Sequence, residues 1–162
     1  VIVMTQKNRY GKGGTMRSLK FRAWVKKRKG YRELDQLVFD KQGLEEVWVF
    51  PEDDETQQVY HPSEMVIEQY TGLKDKNGKE IYEGDIVALL FGYVPMKSVT
   101  AENIRIENAQ KAVIHFNTAR AAFRYTIKLR TPKDCQFKPS TNTNMIVIGN
   151  IHENPELFGG EE

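Results

Sequence analysis

The segment Gln69-Tyr70-Thr71-Gly72-Leu73-Lys74-Asp75-Lys76-Asn77-Gly78-Lys79-Glu80-Ile81-Tyr82-Glu83-Gly84-Asp85-Ile86-Val87 decides the fold class. Asn77 and Gly78 both tolerate positive φ, as the two central residues of a type I′ hairpin must, so the pair predicts a strand, a tight turn and a returning strand. Glu83-Gly84-Asp85 predicts a second tight turn. The apolar run at residues 86–91 follows it as a buried strand.

The same pattern extends in both directions. Upstream, Leu19, Phe21, Ala23 and Val25 alternate with Lys20, Arg22 and Trp24, the period-2 signature of a half-buried strand. Residues 26–30 read as a turn, 31–39 as a second strand and 47–50 as a third, with Gly43 as a break between the last two. Residues 51–58 form an acidic loop, and 65–70 a fourth strand. A helix over 62–70 is the alternative there, since Ser63 could cap it. Downstream, 92–110 looks irregular, with 101–109 either a short helix or a loose strand. Residues 112–116, 122–129 and 145–148 read as strands, 133–144 as a polar loop, and Asn154-Pro155 as a turn. Short antiparallel strands with little helix imply a mainly β fold, a small barrel or sandwich, whose C-terminal half has an SH3-like layout. Residues 1–15 are expected to form a flexible or loosely docked basic arm, 16–158 a single β-rich domain, and 159–162 a polar tail.

Bulk properties narrow the setting. The chain has 162 residues, 40% of them hydrophobic and 28% charged, ordinary values for one globular domain. Its lone cysteine, Cys135, cannot form an internal disulfide. The six-residue apolar run at 86–91 is far below the roughly 20 residues needed to span a bilayer. A cytoplasmic protein that makes no membrane contact is therefore expected. Charge is strongly segregated: residues 1–32 carry +11, 33–85 carry −11 and 86–162 carry +2. The basic block could steer phosphorylated partners, or the acidic block could neutralise it within the fold or across a subunit interface.

A search for reactive chemistry finds little. His61, His115 and His152 lack the closely spaced second ligands of a metal site. Counted from Asp75, an EF-hand loop would place Glu80 where glycine belongs and Ile86 where the bidentate carboxylate belongs. Cys135 has no histidine near it in sequence, and no Gly-x-Ser-x-Gly motif occurs. In Gly11-Lys12-Gly13-Gly14-Thr15 the lysine precedes the glycines, the reverse of a phosphate-binding loop. No catalytic residue, metal or cofactor is expected. The one nucleic-acid feature is the cluster Lys26-Lys27-Arg28-Lys29, flanked by Trp24 and Tyr31. Its cations could meet phosphates and its aromatics could stack on bases. An ordinary charged turn, with Trp24 packed inward, explains the same residues.

Three stretches carry a family resemblance: Met16-Arg17-Ser18-Leu19-Lys20-Phe21-Arg22-Ala23-Trp24, the segment 69–87 quoted above, and Val147-Ile148-Gly149-Asn150-Ile151-His152-Glu153-Asn154-Pro155-Glu156-Leu157. They resemble the YopX-type proteins of bacteriophages and prophages, mostly of low-GC Gram-positive bacteria. The resemblance implies a mainly β fold, a phage or prophage origin and the bacterial host cytoplasm; it implies no activity. In these motifs Gly72, Gly78 and Gly84 suit turns, while Tyr70, Ile81, Tyr82, Ile86 and Val87 suit a core. The polar residues Thr71, Asp85 and Asn150 are the motif positions to test for a role beyond folding. The functional expectation is a non-enzymatic accessory protein that binds a host or phage macromolecule and pairs through strand edges as a homo-oligomer. The alternative is binding of nucleic acid, or sequestration of a nucleotide defence signal, through the basic N-terminal block. Catalysis by converging surface carboxylates is a third reading.

Overall fold

The computed structural model describes residues 2–5, 19–50, 57–90, 109–127, 133–136 and 144–159. These residues form twelve strands and no α-helix. The strands are paired antiparallel throughout. Contacts divide the chain into two compact units, Val1–Gln69 and Tyr70–Glu162, with the boundary inside the stretch 16–158 that is expected to be one domain.

In the first unit, β2 (Phe21–Val25), β3 (Gly30–Phe39), β4 (Leu44–Val49), β5 (Gln58–Tyr60) and the first half of β6 (Met65–Lys74) lie in the order β5-β4-β3-β2-β6. β1 (Ile2–Thr5) lies beside β3. So where a flexible or loosely docked arm is expected, four of its residues form a strand. The alternation in β2 puts Ala23 and Val25 into a core with Leu34, Leu37, Val47, Val49 and Met65. Trp24, on the other face of β2, is only 7% exposed, so this strand is covered on both sides at its end. The helical alternative for 62–70 reduces to one 3-10 turn at Pro62–Glu64. His61, not Ser63, caps it: the ring Nδ1 accepts from Ser63 N–H, and the Glu64 carboxylate accepts from His61 N–H.

In the second unit, β7 (Glu80–Tyr82) pairs with the second half of β6. β8 (Asp85–Leu89), β9 (Gln110–Asn117), β10 (Ala122–Ile127), β11 (Lys133–Gln136) and β12 (Met145–Asn150) form a sheet in the order β11-β10-β9-β8-β12. The last strand returns to lie beside the first, as the SH3-like layout implies, and among the described residues the sheet stays open. β8 is buried along its whole length, and Val87 and Leu89 join Ile81, Ala112, Ile114, Ile127 and Met145 in a second core. β11 occupies part of the stretch expected to be a polar loop. The expectations for the rest of the arm at 1 and 6–15, for 51–56, for 92–108 with most of the 101–109 alternative, for 128–129, for 137–143 and for the polar tail beyond Gly159 lie outside the described residues.

The turn between β6 and β7 is not the type I′ hairpin that Asn77-Gly78 predicts. Gly78 has φ +83°, but Asn77 is not among the residues of positive φ. Gly78 N–H donates to the Asp75 carbonyl at 3.0 Å, making a four-residue turn that ends on a left-handed glycine. The Asp75 carboxylate selects it by accepting from Asn77 N–H at 2.8 Å and Lys79 N–H at 2.9 Å. A side chain that occupies two donors favours this wider turn over the two-residue one.

Gly149 shows why the C-terminal motif has its composition. β12 bulges between Val147 and Gly149, and the chain then folds back through a 3-10 turn at Pro155–Phe158. A Cβ on Gly149 would stand 2.6 Å from Asn154 Oδ1 and 2.8 Å from Leu157 Cδ1. Gly149→Ala is therefore expected to destabilise the protein by about 1–3 kcal/mol, through overpacking. Urea unfolding checks this: the midpoint should fall with the slope unchanged.

Candidate functional site

The basic cluster forms the turn of the β2–β3 hairpin. Val25 pairs with Gly30, so residues 26–29 cap the ladder, and all four are exposed. They are not equivalent. Lys26 is held against the neighbouring 3-10 turn: its N–H donates to the Glu64 carbonyl at 3.0 Å and its Nζ to the Ser63 carbonyl at 2.8 Å. Lys27, Arg28 and Lys29 extend beyond it. Lys29 closes the turn with φ +48°, a left-handed position where an L side chain costs roughly 1–2 kcal/mol relative to glycine. The hairpin therefore carries a cation where backbone energetics favour no side chain.

The flanking aromatics belong to the sheet. Trp24 and Tyr31 are cross-strand partners, their rings edge-on with centroids 5.1 Å apart. The Arg22 guanidinium sits 4.5 Å above the Tyr31 ring. Tyr31 Oη donates to Glu68 Oε2 at 2.8 Å, and Arg22 Nε donates to the same oxygen at 2.7 Å. Glu68 is 2% exposed, and a buried carboxylate requires such partners. The structure thus joins Trp24 and Tyr31 to a packed Arg22–Tyr31–Glu68 cluster. Sequence reasoning missed this cluster because Arg22 and Glu68 meet only through the β2–β6 register.

The polar motif residues are all buried and bonded to backbone. Thr71 Oγ1 donates to the Ile81 carbonyl at 2.8 Å and accepts from Leu73 N–H at 3.2 Å. Asp85, 1% exposed, accepts Tyr82 N–H through Oδ2 at 2.8 Å and so closes the turn around Gly84. Asn150 lies opposite Asp85 in the β8–β12 ladder, and its Oδ1 accepts His152 N–H at 2.9 Å. Asp75 plays a larger part than any of these. Besides its two bonds within the turn, its Oδ2 accepts Val147 N–H at 3.0 Å, and Lys76 N–H donates to the Met145 carbonyl at 3.0 Å. The spacing Asp-x-Asn-Gly, a side-chain-closed turn, is the signal that could have found it.

The remaining reactive groups are dispersed. Among the described residues, no three His, Cys, Asp or Glu side chains gather as a metal's ligand set would. His115 lies within β9, and His152 follows β12. Cys135 faces Tyr125 across the β10–β11 ladder. Burial, reinforced by the Cys135 thiol, pushes the Tyr125 hydroxyl above its ordinary pKa. No helix among the described residues is long and apolar enough to cross a membrane.

A family model described as YopX protein matches residues 20–159. Among solved structures, the crystal structure of protein EF1440 from Enterococcus faecalis is similar at a TM-score of 0.54. It shares 28% identity, and the alignment covers 87% of this chain and 98% of that one. None of the curated proteins matches the chain.

Lys29→Gly is expected to raise stability by about 1 kcal/mol, hence the melting temperature by roughly 2–4 °C, by relieving the left-handed strain. Asp75→Ala is expected to cost about 3 kcal/mol or more, since three charge-assisted bonds to backbone donors are lost together. Thermal melts and urea titrations read both, and Asp75→Asn, which keeps an acceptor, should fall between Asp75→Ala and the parent.

Proposed function

The chain belongs to the YopX family, and from that membership we propose that it acts without catalysis, as a phage- or prophage-encoded accessory protein that binds a host or phage macromolecule. One observation carries the reading. The polar side chains of the family-like motifs, Thr71, Asp85 and Asn150, are engaged with the chain's own backbone, while the cations Lys27, Arg28 and Lys29 project from a hairpin anchored on both sides. The motifs build the fold, and the exposed turn offers the contact. A protein partner with an acidic face suits three cations in a row.

Nucleic-acid binding is the second reading, favoured by the same turn. With Trp24 and Tyr31 held in the sheet, such binding rests on phosphates and is insensitive to base sequence.

Native mass spectrometry of the protein purified at low salt from a Gram-positive host tests both readings. The expected result is a discrete protein adduct that disappears when Lys27 and Arg28 are changed to Glu. A nucleic-acid adduct would instead support the second reading. Replacing those two cations should then flatten the dependence of log K on log salt by about 2. If only the bare chain is recovered, with and without crosslinking, the proposal fails.

A further inference from the structure

Asn77-Gly78 does not make the hairpin that its composition suits, and the pair carries a chemistry of its own. An asparagine followed by glycine is prone to cyclise: the glycine nitrogen attacks the side-chain carbonyl carbon, with no Cβ to hinder the approach. Both residues are exposed, and an atom at the missing Cβ of Gly78 would meet nothing within 4 Å. Space does not oppose ring closure here.

Hydrogen bonding does. The attacking atom is the Gly78 nitrogen, and its N–H donates to the Asp75 carbonyl at 3.0 Å. The Asp75 carboxylate fixes the residues on either side, accepting from Asn77 N–H at 2.8 Å and from Lys79 N–H at 2.9 Å. Asp75 is only 6% exposed and is tied to β12 through Val147 N–H at 3.0 Å. A nitrogen engaged in such a turn gives up its proton less readily and is not free to swing onto the neighbouring side chain.

We propose that Asn77 is a self-modification site held shut by the Asp75 turn, and that opening of this turn converts it to aspartate and isoaspartate. Hydroxide removes the Gly78 amide proton, the nitrogen bonds to Asn77 Cγ, and the Cγ–Nδ2 bond breaks. Nδ2 takes a proton from water and leaves as ammonia, which regenerates the hydroxide. Water then opens the cyclic imide. Breaking its bond between nitrogen and Cγ gives aspartate, and breaking the bond to the main-chain carbonyl carbon gives isoaspartate. One water enters, one ammonia leaves, and nothing is oxidised or reduced.

Isoaspartate does not rebuild the turn. It places an extra methylene in the main chain between the two N–H groups that Asp75 Oδ1 holds together. The neighbouring bond from Lys76 N–H to the Met145 carbonyl loses its support with them. The modification therefore makes release of the turn from β12 irreversible.

The test is the rate of conversion at position 77. The full chain is incubated at one mildly alkaline pH, folded and in guanidinium chloride. Peptide mass spectrometry maps the amide-to-acid change, and methyl transfer by an isoaspartate methyltransferase counts the isoaspartate. Conversion in the folded chain is expected to be slower by about tenfold or more, a protection set by how seldom the turn opens. Asp75→Asn should abolish most of that protection. Ile114→Val, which weakens the core of the same unit without touching the turn, should abolish little of it. Equal rates in the folded and unfolded chains would overturn the gate, and an unconverted Asn77 in the unfolded chain would overturn the site. Equal acceleration by the two variants would assign the opening to global unfolding and overturn the role of the turn. The comparison of folded with unfolded parent uses no variant, so it decides the matter even if Asp75→Asn does not fold.

Discussion

The carboxylate of Asp75 holds together parts of the second unit that are far apart in sequence. One oxygen organises the turn between β6 and β7, and the other accepts from Val147, 72 residues further on. With Lys76 N–H bonded to the Met145 carbonyl, the turn lies along β12 and supplies donors and acceptors to a strand whose ladder partner is β8. Buried backbone groups must find partners, and β12 meets this one through a loop rather than another strand. Asp85 repeats the device at the next turn, and Asn150, opposite it, begins the reversal that brings Asn154 and Leu157 onto Gly149. The second core thus closes around three side chains whose role is to present oxygen atoms to backbone N–H groups.

The first unit meets the burial of charge differently. Glu68 is held by Arg22 and Tyr31, and Tyr31 is in turn fixed between the Arg22 guanidinium and the edge of Trp24. Replacing one member of such a set leaves a buried charge without compensation, which is more damaging than the net worth of the pair suggests. This cluster lies at the root of the β2–β3 hairpin, so the basic turn rises from one of the more constrained parts of the sheet.

Much of the architecture is legible in the residues because period-2 patterning and turn chemistry are local. The strands at Phe21–Val25, Gly30–Phe39 and Gln110–Asn117, the break at Gly43 and the turn at Gly84 all follow from neighbouring side chains. What is not legible depends on register or on a competing partner. Asn77-Gly78 has the composition of a type I′ turn, yet Asp75, two residues earlier, captures the donors and imposes another. β5 and β11 are too short and too polar to stand out from their loops, and they exist because β4 and β10 offer them an edge. The same holds for the candidate site. The cations of the basic turn stand where the sequence places them, but of the aromatics beside them Tyr31 is claimed by Glu68, 37 residues away, and Trp24 by Tyr31 across the ladder.

The position of that turn has a consequence for how the chain could be divided. Four consecutive exposed residues at the hairpin tip mark a point where the chain could be divided without breaking a ladder pair. A cut there would separate a fragment that carries β1 and β2 from the rest of the protein. Yet β2 is bonded to β3 on one side and to β6 on the other, and β1 lies on β3 as well. The cleaved protein would remain assembled as a two-piece complex. The hairpin is thus a natural split point, from which two separately expressed fragments could be brought back together by strand complementation alone.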